Sequence, residues 1–380
     1  MPGLTVPALT IPGPGRPGDV PADGTPDKVT EAQLRAAPLE RLLAYGLEPS
    51  DALCLRALVG QGSSWTDAGL RVAHAQLAAA RTAELAGLTA AGRQHLLAAA
   101  VAANVAQLMM AGNSEQRRDI YRLSADARGR WLAGQGGQGG QAGQLEVPGA
   151  DGELDVTWLR PAAPGPAPVV AIWGGTSGWG IVYRKCAQAL LDVGIAVALV
   201  ELPGQGLPRL LHGAVLGPGF NATAGRLVAA LRDAPFSDGR VGLWGQSMGG
   251  LLAAQVASRV PGVSACCVTG GPATPSRTPR PFTRPRQLWA DMLGQPVPEG
   301  AGPSGQGAEF DFAEGQRIGC PVLVIHGGRD PLVTEQESAA FAAAGADPSR
   351  LVIWPDEGHC VYGRSAERDV LVAAWFREVL

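Results

Sequence analysis

Three side chains of this sequence could together carry out acyl transfer: Ser247, Asp330 and His359. A serine hydroxyl is a weak nucleophile until a base takes its proton, and the base works best when an acid fixes its tautomer. Ser247 sits in Gly245-Gln-Ser-Met-Gly249, directly after the apolar run Val241–Trp244. An apolar run, then Gly-x-Ser-x-Gly, then a small-residue helix predicts a sharp strand-to-helix turn with the serine at its tip. Asp330 follows the apolar run Val322–Ile325 in His326-Gly-Gly-Arg-Asp330. His359 follows Leu351–Ile353 in Pro355-Asp-Glu-Gly-His359. The order nucleophile, acid, histidine, each after a later strand, predicts His359 as general base and Asp330 as its orienting acid.

Such a nucleophile also needs two backbone N–H donors for the oxyanion that forms on attack. One is expected from Met248, the residue after the nucleophile. The other is expected from the loop Gly174-Gly-Thr-Ser177 after the apolar run Val169–Trp173, with Gly175 and Thr176 both candidates. Gly174 and Ser177 then border the substrate. Trp179, Tyr183, Phe282 and Trp289 could line an apolar pocket, with core or lid packing as the competing reading. Glu201 opens Glu-Leu-Pro-Gly-Gln-Gly and reads as a structural turn or a site-facing carboxylate. Arg277, Arg280, Arg284 and Arg286 could clamp a substrate carboxylate, or simply be solvated. His326 is expected to support the acid loop, and Asp356 and Glu357 to shape the turn before His359. A serine triad supplies nucleophile, base and electrostatics itself, so no cofactor and no metal is expected.

The elements that must position these residues follow from periodicity. No strand-like alternation precedes about residue 145. Helices are predicted from Thr30 (with Thr30 and Gln33 as a capping box) and over 51–59, 65–86, 90–111 and 115–133. Ser63 or Ser64, Thr89, and Asn113 or Ser114 are their expected caps. Residues 1–29 are Pro- and Gly-rich and read as a disordered or extended arm. Residues 134–144, GQGGQGGQAGQ, read as a flexible linker. From 145 to 380 apolar strands alternate with helices. An antiparallel pair and six further strands predict an α/β fold, a mostly parallel eight-stranded sheet flanked by helices. Residues 271–315 interrupt that alternation and read as a lid-like insertion over the carboxyl edge of the sheet.

Composition narrows the partners. Hydrophobic residues make up 46% and charged residues 17%, with a net charge of −3. No basic face offers itself to a nucleic acid. No apolar run reaches the ~20 residues of a membrane span. The six cysteines form no C-x-x-C pair and are expected as reduced core residues of a cytoplasmic protein. The expected partner is a small-molecule substrate.

With these motifs in place, residues 145–380 resemble the α/β-hydrolase superfamily. The preceding helical domain, the strand ending in Trp-Gly-Gly, the Pro203-Gly-Gln-Gly206 turn, Gly-Gln-Ser-Met-Gly-Gly and Glu-Gly-His-Cys together narrow the likeness. They are similar to the group containing dihydroxypseudooxynicotine hydrolase and the fermentation-respiration switch esterases, over residues 30–380. The resemblance implies that the helical part covers the active site and that the protein is a homodimer. Members of that group that cleave carbon–carbon bonds are thought to use an extra acid beyond the strand after the nucleophile. This sequence has no Asp or Glu between Met248 and Ala290. Hydrolysis of a small, fairly apolar ester through an acyl-enzyme is therefore expected. Carbon–carbon hydrolysis of a 1,3-diketone or polyketide-like substrate is the alternative, and a non-catalytic binding protein on the same scaffold a third reading.

Overall fold

The computed structural model describes residues 28–134, 142–149, 153–277, 283–296 and 305–380, and the isolated positions 10 and 13. The chain divides into two compact units. One comprises 1–43, 47–109 and 119–135; the other comprises 44–46, 110–118 and 136–380.

The first unit is helical. Its helices are α1 (Lys28–Ala36), α2 (Leu39–Ala44), α3 (Pro49–Gly60), α4 (Trp65–Leu85), α5 (Thr89–Ala106) and α6 (Glu115–Ala133), the last of which begins in the other unit. Pro49 starts α3 at a position whose N–H would have no helical partner. Ser64 Oγ caps α4 by accepting from the Asp67 N–H at 3.0 Å. Helices α4 and α5 touch through small residues: a Cβ on Gly69 would lie 2.6 Å from Ala106 Cα. Two expected caps are not caps. Thr30 lies inside α1, and the residue before α5 is Leu88, which makes no side-chain cap bond. His95 Nδ1 lies 2.7 Å from Gln76 Oε1, and Gln76 donates to the buried Asp51.

The second unit follows strand–helix grammar. In chain order it contains β1 (Ala142–Pro148), β2 (Glu153–Leu159), β3 (Ala167–Trp173), α7 (Arg184–Asp192), β4 (Ala196–Glu201), α8 (Gly206–Leu210), α9 (Phe220–Arg232), β5 (Ser237–Gln246), α10 (Met248–Arg259) and β6 (Val263–Thr269). It continues with α11 (Thr283–Met292), β7 (Pro321–Gly327), α12 (Glu335–Ala344), β8 (Ala346–Trp354) and α13 (Ser365–Val379). The sheet order is β1-β2-β4-β3-β5-β6-β7-β8. β1, β2 and β4 pair antiparallel, and every other neighbouring pair is parallel. β4 is buried at all six positions, as expected of a strand covered on both faces.

Two boundaries differ from the sequence reading. Most of the 134–144 linker lies outside the described residues, but Ala142–Gln144 already belong to β1, paired with Thr157, Trp158 and Leu159. Strand pairing supplies an order that the residues' own composition does not suggest. The described part of 271–315 is not a separate lid. Trp289, Met292, Phe310 and Phe312 join the same buried cluster as Phe220 and Leu251, because the insertion carries enough apolar surface to extend the core.

Candidate active site

Chain order reverses between β3 and β5, which lie side by side. In open sheets this switch point leaves a crevice beyond the carboxyl ends of the strands. Trp173 stands opposite Gly245 in the parallel register. Two residues further along each strand come Gly175 and Ser247. Ser247 caps α10 with φ 56° and ψ −129°, a conformation strained for any residue with a side chain. The flanking glycines are required by closeness. A Cβ on Gly245 would lie 1.9 Å from the Gly249 carbonyl oxygen, and one on Gly249 would lie 2.3 Å from that of Gly174. Trp173 Nε1 donates to the Gly249 carbonyl at 2.8 Å, and the Ser247 N–H donates to the Thr269 carbonyl at 2.7 Å. The turn is thus held from β3 and from β6. Because the strain resides in the Ser247 backbone, Ser247→Gly should be more stable than Ser247→Ala by about 1 kcal/mol, net of the extra freedom glycine has when unfolded. Urea titration of the two variants measures this, and equal midpoints would remove the strain.

The structure brings the three chemistry-bearing side chains together. His359 Nε2 lies 2.9 Å from Ser247 Oγ, and His359 Nδ1 lies 2.8 Å from Asp330 Oδ2. The other carboxylate oxygen, Oδ1, accepts from the N–H groups of Leu332 and Val333. The Asp330 side chain is fully buried, while the His359 side chain keeps some exposure. Burial disfavours the imidazolium, yet Cys360 and Asp330 outweigh it and hold His359 well above the ordinary histidine range. The Cys360 thiol donates to the Thr269 carbonyl at 3.6 Å, while the Asp330 carboxylate lies directly on the ring. The carboxylate also selects the tautomer with hydrogen on Nδ1, which leaves Nε2 free to accept from Ser247.

The loop after β3 lies against Ser247. A Cβ on Gly175 would fall 2.8 Å from Ser247 Cβ and 3.1 Å from Oγ, so only glycine fits there. Met248 is the first residue of α10, where N–H groups have no helical acceptor. Gly174 is closed in by Gly178 and Tyr183, and Ser177 is buried. Tyr183 braces this loop through its hydroxyl, which donates to the Gly178 carbonyl at 3.2 Å. Trp179 lies beneath the Arg117 guanidinium, 5.1 Å from ring centroid to carbon.

Other candidates stand elsewhere. Trp289 is a core residue, edge-on to Phe310 and donating to the Gln306 carbonyl, so it is not a pocket wall. Glu201 is buried, and its Oε2 accepts from the Leu207 N–H at 2.8 Å, tying the turn after β4. Phe282 and Arg280 lie outside the described residues. Arg277 is exposed and Arg286 buried. Asp356 pairs with Arg329 at the surface, and Glu357 accepts from the Gly363 N–H. His326 lies 3.1 Å from the Ser338 hydroxyl on α12.

Sequence reasoning missed Thr269 and Arg368. Thr269 offers one carbonyl to both the Ser247 N–H and the Cys360 thiol, joining the Ser247 turn to the His359 loop. Cys360 and Val361 both have positive φ, 59° and 53°, directly after His359. Arg368, 1% exposed, holds this bend by donating to the Cys360 carbonyl at 2.6 Å, while pairing with the buried Asp369. Its spacing with Val372 and Phe376 on α13 marks it as a charge on a core face, a signal readable in advance. Arg368→Met should destabilise the fold by about 3–5 kcal/mol, since it removes the guanidinium that pairs with the buried Asp369 carboxylate. Denaturant unfolding checks this, and Arg368→Met/Asp369→Leu should recover most of the loss.

Among the described residues, no group of three or more His, Cys, Asp or Glu could hold a metal ion, and no helix is long and apolar enough to cross a membrane. All six cysteines are buried and free. Residues 226–380 match the model of the prolyl oligopeptidase family. The 2,6-dihydropseudooxynicotine hydrolase of Paenarthrobacter nicotinovorans is 23% identical over 220 residues, spanning 58% of this chain and 60% of that relative. The crystal structure of 2,6-dihydroxy-pseudo-oxynicotine hydrolase superposes with a TM-score of 0.74 at 20% identity, covering 90% of this chain and 95% of the other. A hyperthermophilic esterase from the archaeon Pyrobaculum calidifontis gives 0.52 at 19% identity, covering 75% and 96%. The chain has the α/β-hydrolase fold with an N-terminal helical region.

Proposed function

We propose that this protein is a serine hydrolase that cleaves a small, fairly apolar carboxylic ester through an acyl-enzyme. The observation that carries this reading is the hydrogen-bonded chain Ser247–His359–Asp330, standing at the switch point with Gly175 against the serine. His359 Nε2 takes the Ser247 proton as Oγ bonds to the ester carbonyl carbon. The carbonyl π electrons move onto oxygen, where the N–H of Met248 and one from the loop after β3 receive the charge. Collapse breaks the bond to the leaving alcohol, which takes the proton from His359. Water, deprotonated by His359, then attacks the acyl group, and Ser247 leaves with a proton to release the acid. The buried Asp330 stabilises the imidazolium in both halves.

Ester cleavage is favoured over carbon–carbon cleavage by the composition near the nucleophile. The segment from Met248 to Ala290 has no acidic residue, and Glu201, the other carboxylate after a central strand, is engaged by Leu207. Carbon–carbon hydrolysis of a 1,3-diketone stands as the second reading, motivated by the full-length likeness to the pseudo-oxynicotine hydrolase. The deciding experiment gives the purified protein p-nitrophenyl esters and β-diketones in parallel, with a fluorophosphonate probe to identify the reacting serine. Ester turnover with labelling at Ser247 is expected. Diketone turnover without ester turnover would reverse the assignment, and no labelling of Ser247 would remove both readings. The buried, free cysteines suit a reducing cytoplasm.

A further inference from the structure

Gln205 takes no part in the chemistry above, yet it is fully buried beside the oxyanion loop. Its side-chain Nε2 donates to the Gly174 carbonyl at 2.7 Å and to the Gly175 carbonyl at 2.9 Å. Its Oε1 accepts from the Leu202 N–H at 3.0 Å, and its own N–H returns to the Leu202 carbonyl. Both amide hydrogens and the amide oxygen are engaged, and exchanging O for N would set donor against donor and acceptor against acceptor. The orientation is therefore fixed by its partners.

The platform beneath Gln205 is itself immobilised. Glu201 Oε2 accepts from the Leu207 N–H across the turn, and a Cβ on Gly206 would lie 1.8 Å from that same oxygen. The turn after β4 is thus built around buried polar groups and presents one side-chain amide to the neighbouring loop after β3.

In a trans peptide the N–H points opposite to the C=O. Fixing the Gly174 carbonyl on Gln205 turns the Gly175 N–H away from Gln205, and fixing the Gly175 carbonyl does the same for the Thr176 N–H. These two N–H groups flank Gly175, the residue that lies against Ser247. An oxyanion donor works because its direction is set before the charge forms, and glycine-rich backbone does not set its own direction. We propose that Gln205 is a positioning residue: its amide clamps two successive carbonyls of the 174–177 loop and so aims the second oxyanion donor.

This proposal rests on the serine-hydrolase reading, and its test separates the two. Gln205→Met keeps the bulk without donors, and Gln205→Glu keeps an acceptor for Leu202 but sets a carboxylate against two carbonyls. Both are compared with the wild type on a p-nitrophenyl ester and with a trifluoromethyl ketone, whose serine adduct carries an oxyanion. For both variants kcat should fall by about 10–100-fold, because a donor is misaimed rather than deleted. KM should move by less than about threefold, since the neutral ester is little affected. The inhibition constant for the ketone should weaken in parallel with kcat/KM, and the acid limb of the pH profile should stay in place because His359 is untouched. Unchanged ketone inhibition, an equal loss of kcat and ground-state binding, or failure of both variants to fold would each overturn the proposal. Full ester activity in Ser247→Ala would instead remove the serine-hydrolase reading beneath it.

Discussion

Ser247→Ala is expected to lower ester turnover by about 10⁴–10⁶-fold while leaving the fold intact. Alanine removes the only atom that can bond to the acyl carbon and leaves His359 with no hydroxyl to deprotonate. A residual rate above that of water is expected, because the backbone donors would still polarise a bound carbonyl for attack by solvent. The substitution does not relieve the backbone, since alanine at φ 56° is as strained as serine. Stability should therefore stay near that of the parent, and a lost rate cannot be ascribed to unfolding. The measurement is steady-state hydrolysis of short p-nitrophenyl esters by the purified variant, with circular dichroism as the folding control. A rate within tenfold of the parent would mean that Ser247 is not the nucleophile.

Asp330→Asn should lower the maximal rate by about 10⁴-fold and also shift its pH dependence. The loss of rate follows from hydrogen bonding. An asparagine amide can donate to Nδ1, which stabilises the tautomer with hydrogen on Nε2 and turns the ring's free acceptor away from Ser247. The shift follows from charge. In the parent, His359 is held well above the ordinary histidine range, so kcat/KM should rise with pH along an acid limb above pH 6.5. Without the Asp330 charge, one of the groups that raise His359 is lost, while burial still disfavours the protonated form. The acid limb of the variant should then move to lower pH. The same pair contributes to stability with the opposite pH dependence. A histidine whose folded value is raised contributes its full stabilisation below the unfolded value, and loses it as pH rises through the folded one. The His359–Asp330 charge pair thus stabilises the acidic, inactive form most. A pH–rate profile of both proteins tests the direction, and an unmoved acid limb in Asp330→Asn would exclude Asp330 as the controlling charge.

Much of this site was legible because each chemical residue follows a strand, and strands announce themselves. The runs Val241–Trp244, Val322–Ile325 and Leu351–Ile353 are apolar and short, and the polar residues just beyond them fall at one edge of any parallel sheet. That alone put Ser247, Asp330 and His359 on a common edge. Gly245, Gly249 and Gly175 were readable because glycine repeated at fixed offsets has few reasons other than close approach. The aromatic residues were less legible. Trp179, Tyr183 and Trp289 have the same composition whether they face a pocket, a loop or a core, and only packing separates those roles.

Sequence by itself pointed to the main helices and strands, their order and the candidate reacting groups, because local periodicity and turn chemistry act over a few residues. Tertiary structure alone decided which groups meet. Ser247 and His359 are separated by 112 positions, and Gln205 reaches the Gly174 and Gly175 carbonyls across 31 and 30. Those distances close only when strand register sets Trp173 opposite Gly245 and brings the turn after β4 beside the loop after β3. Register depends on the whole sheet burying both of its faces at once, a constraint that no single segment carries.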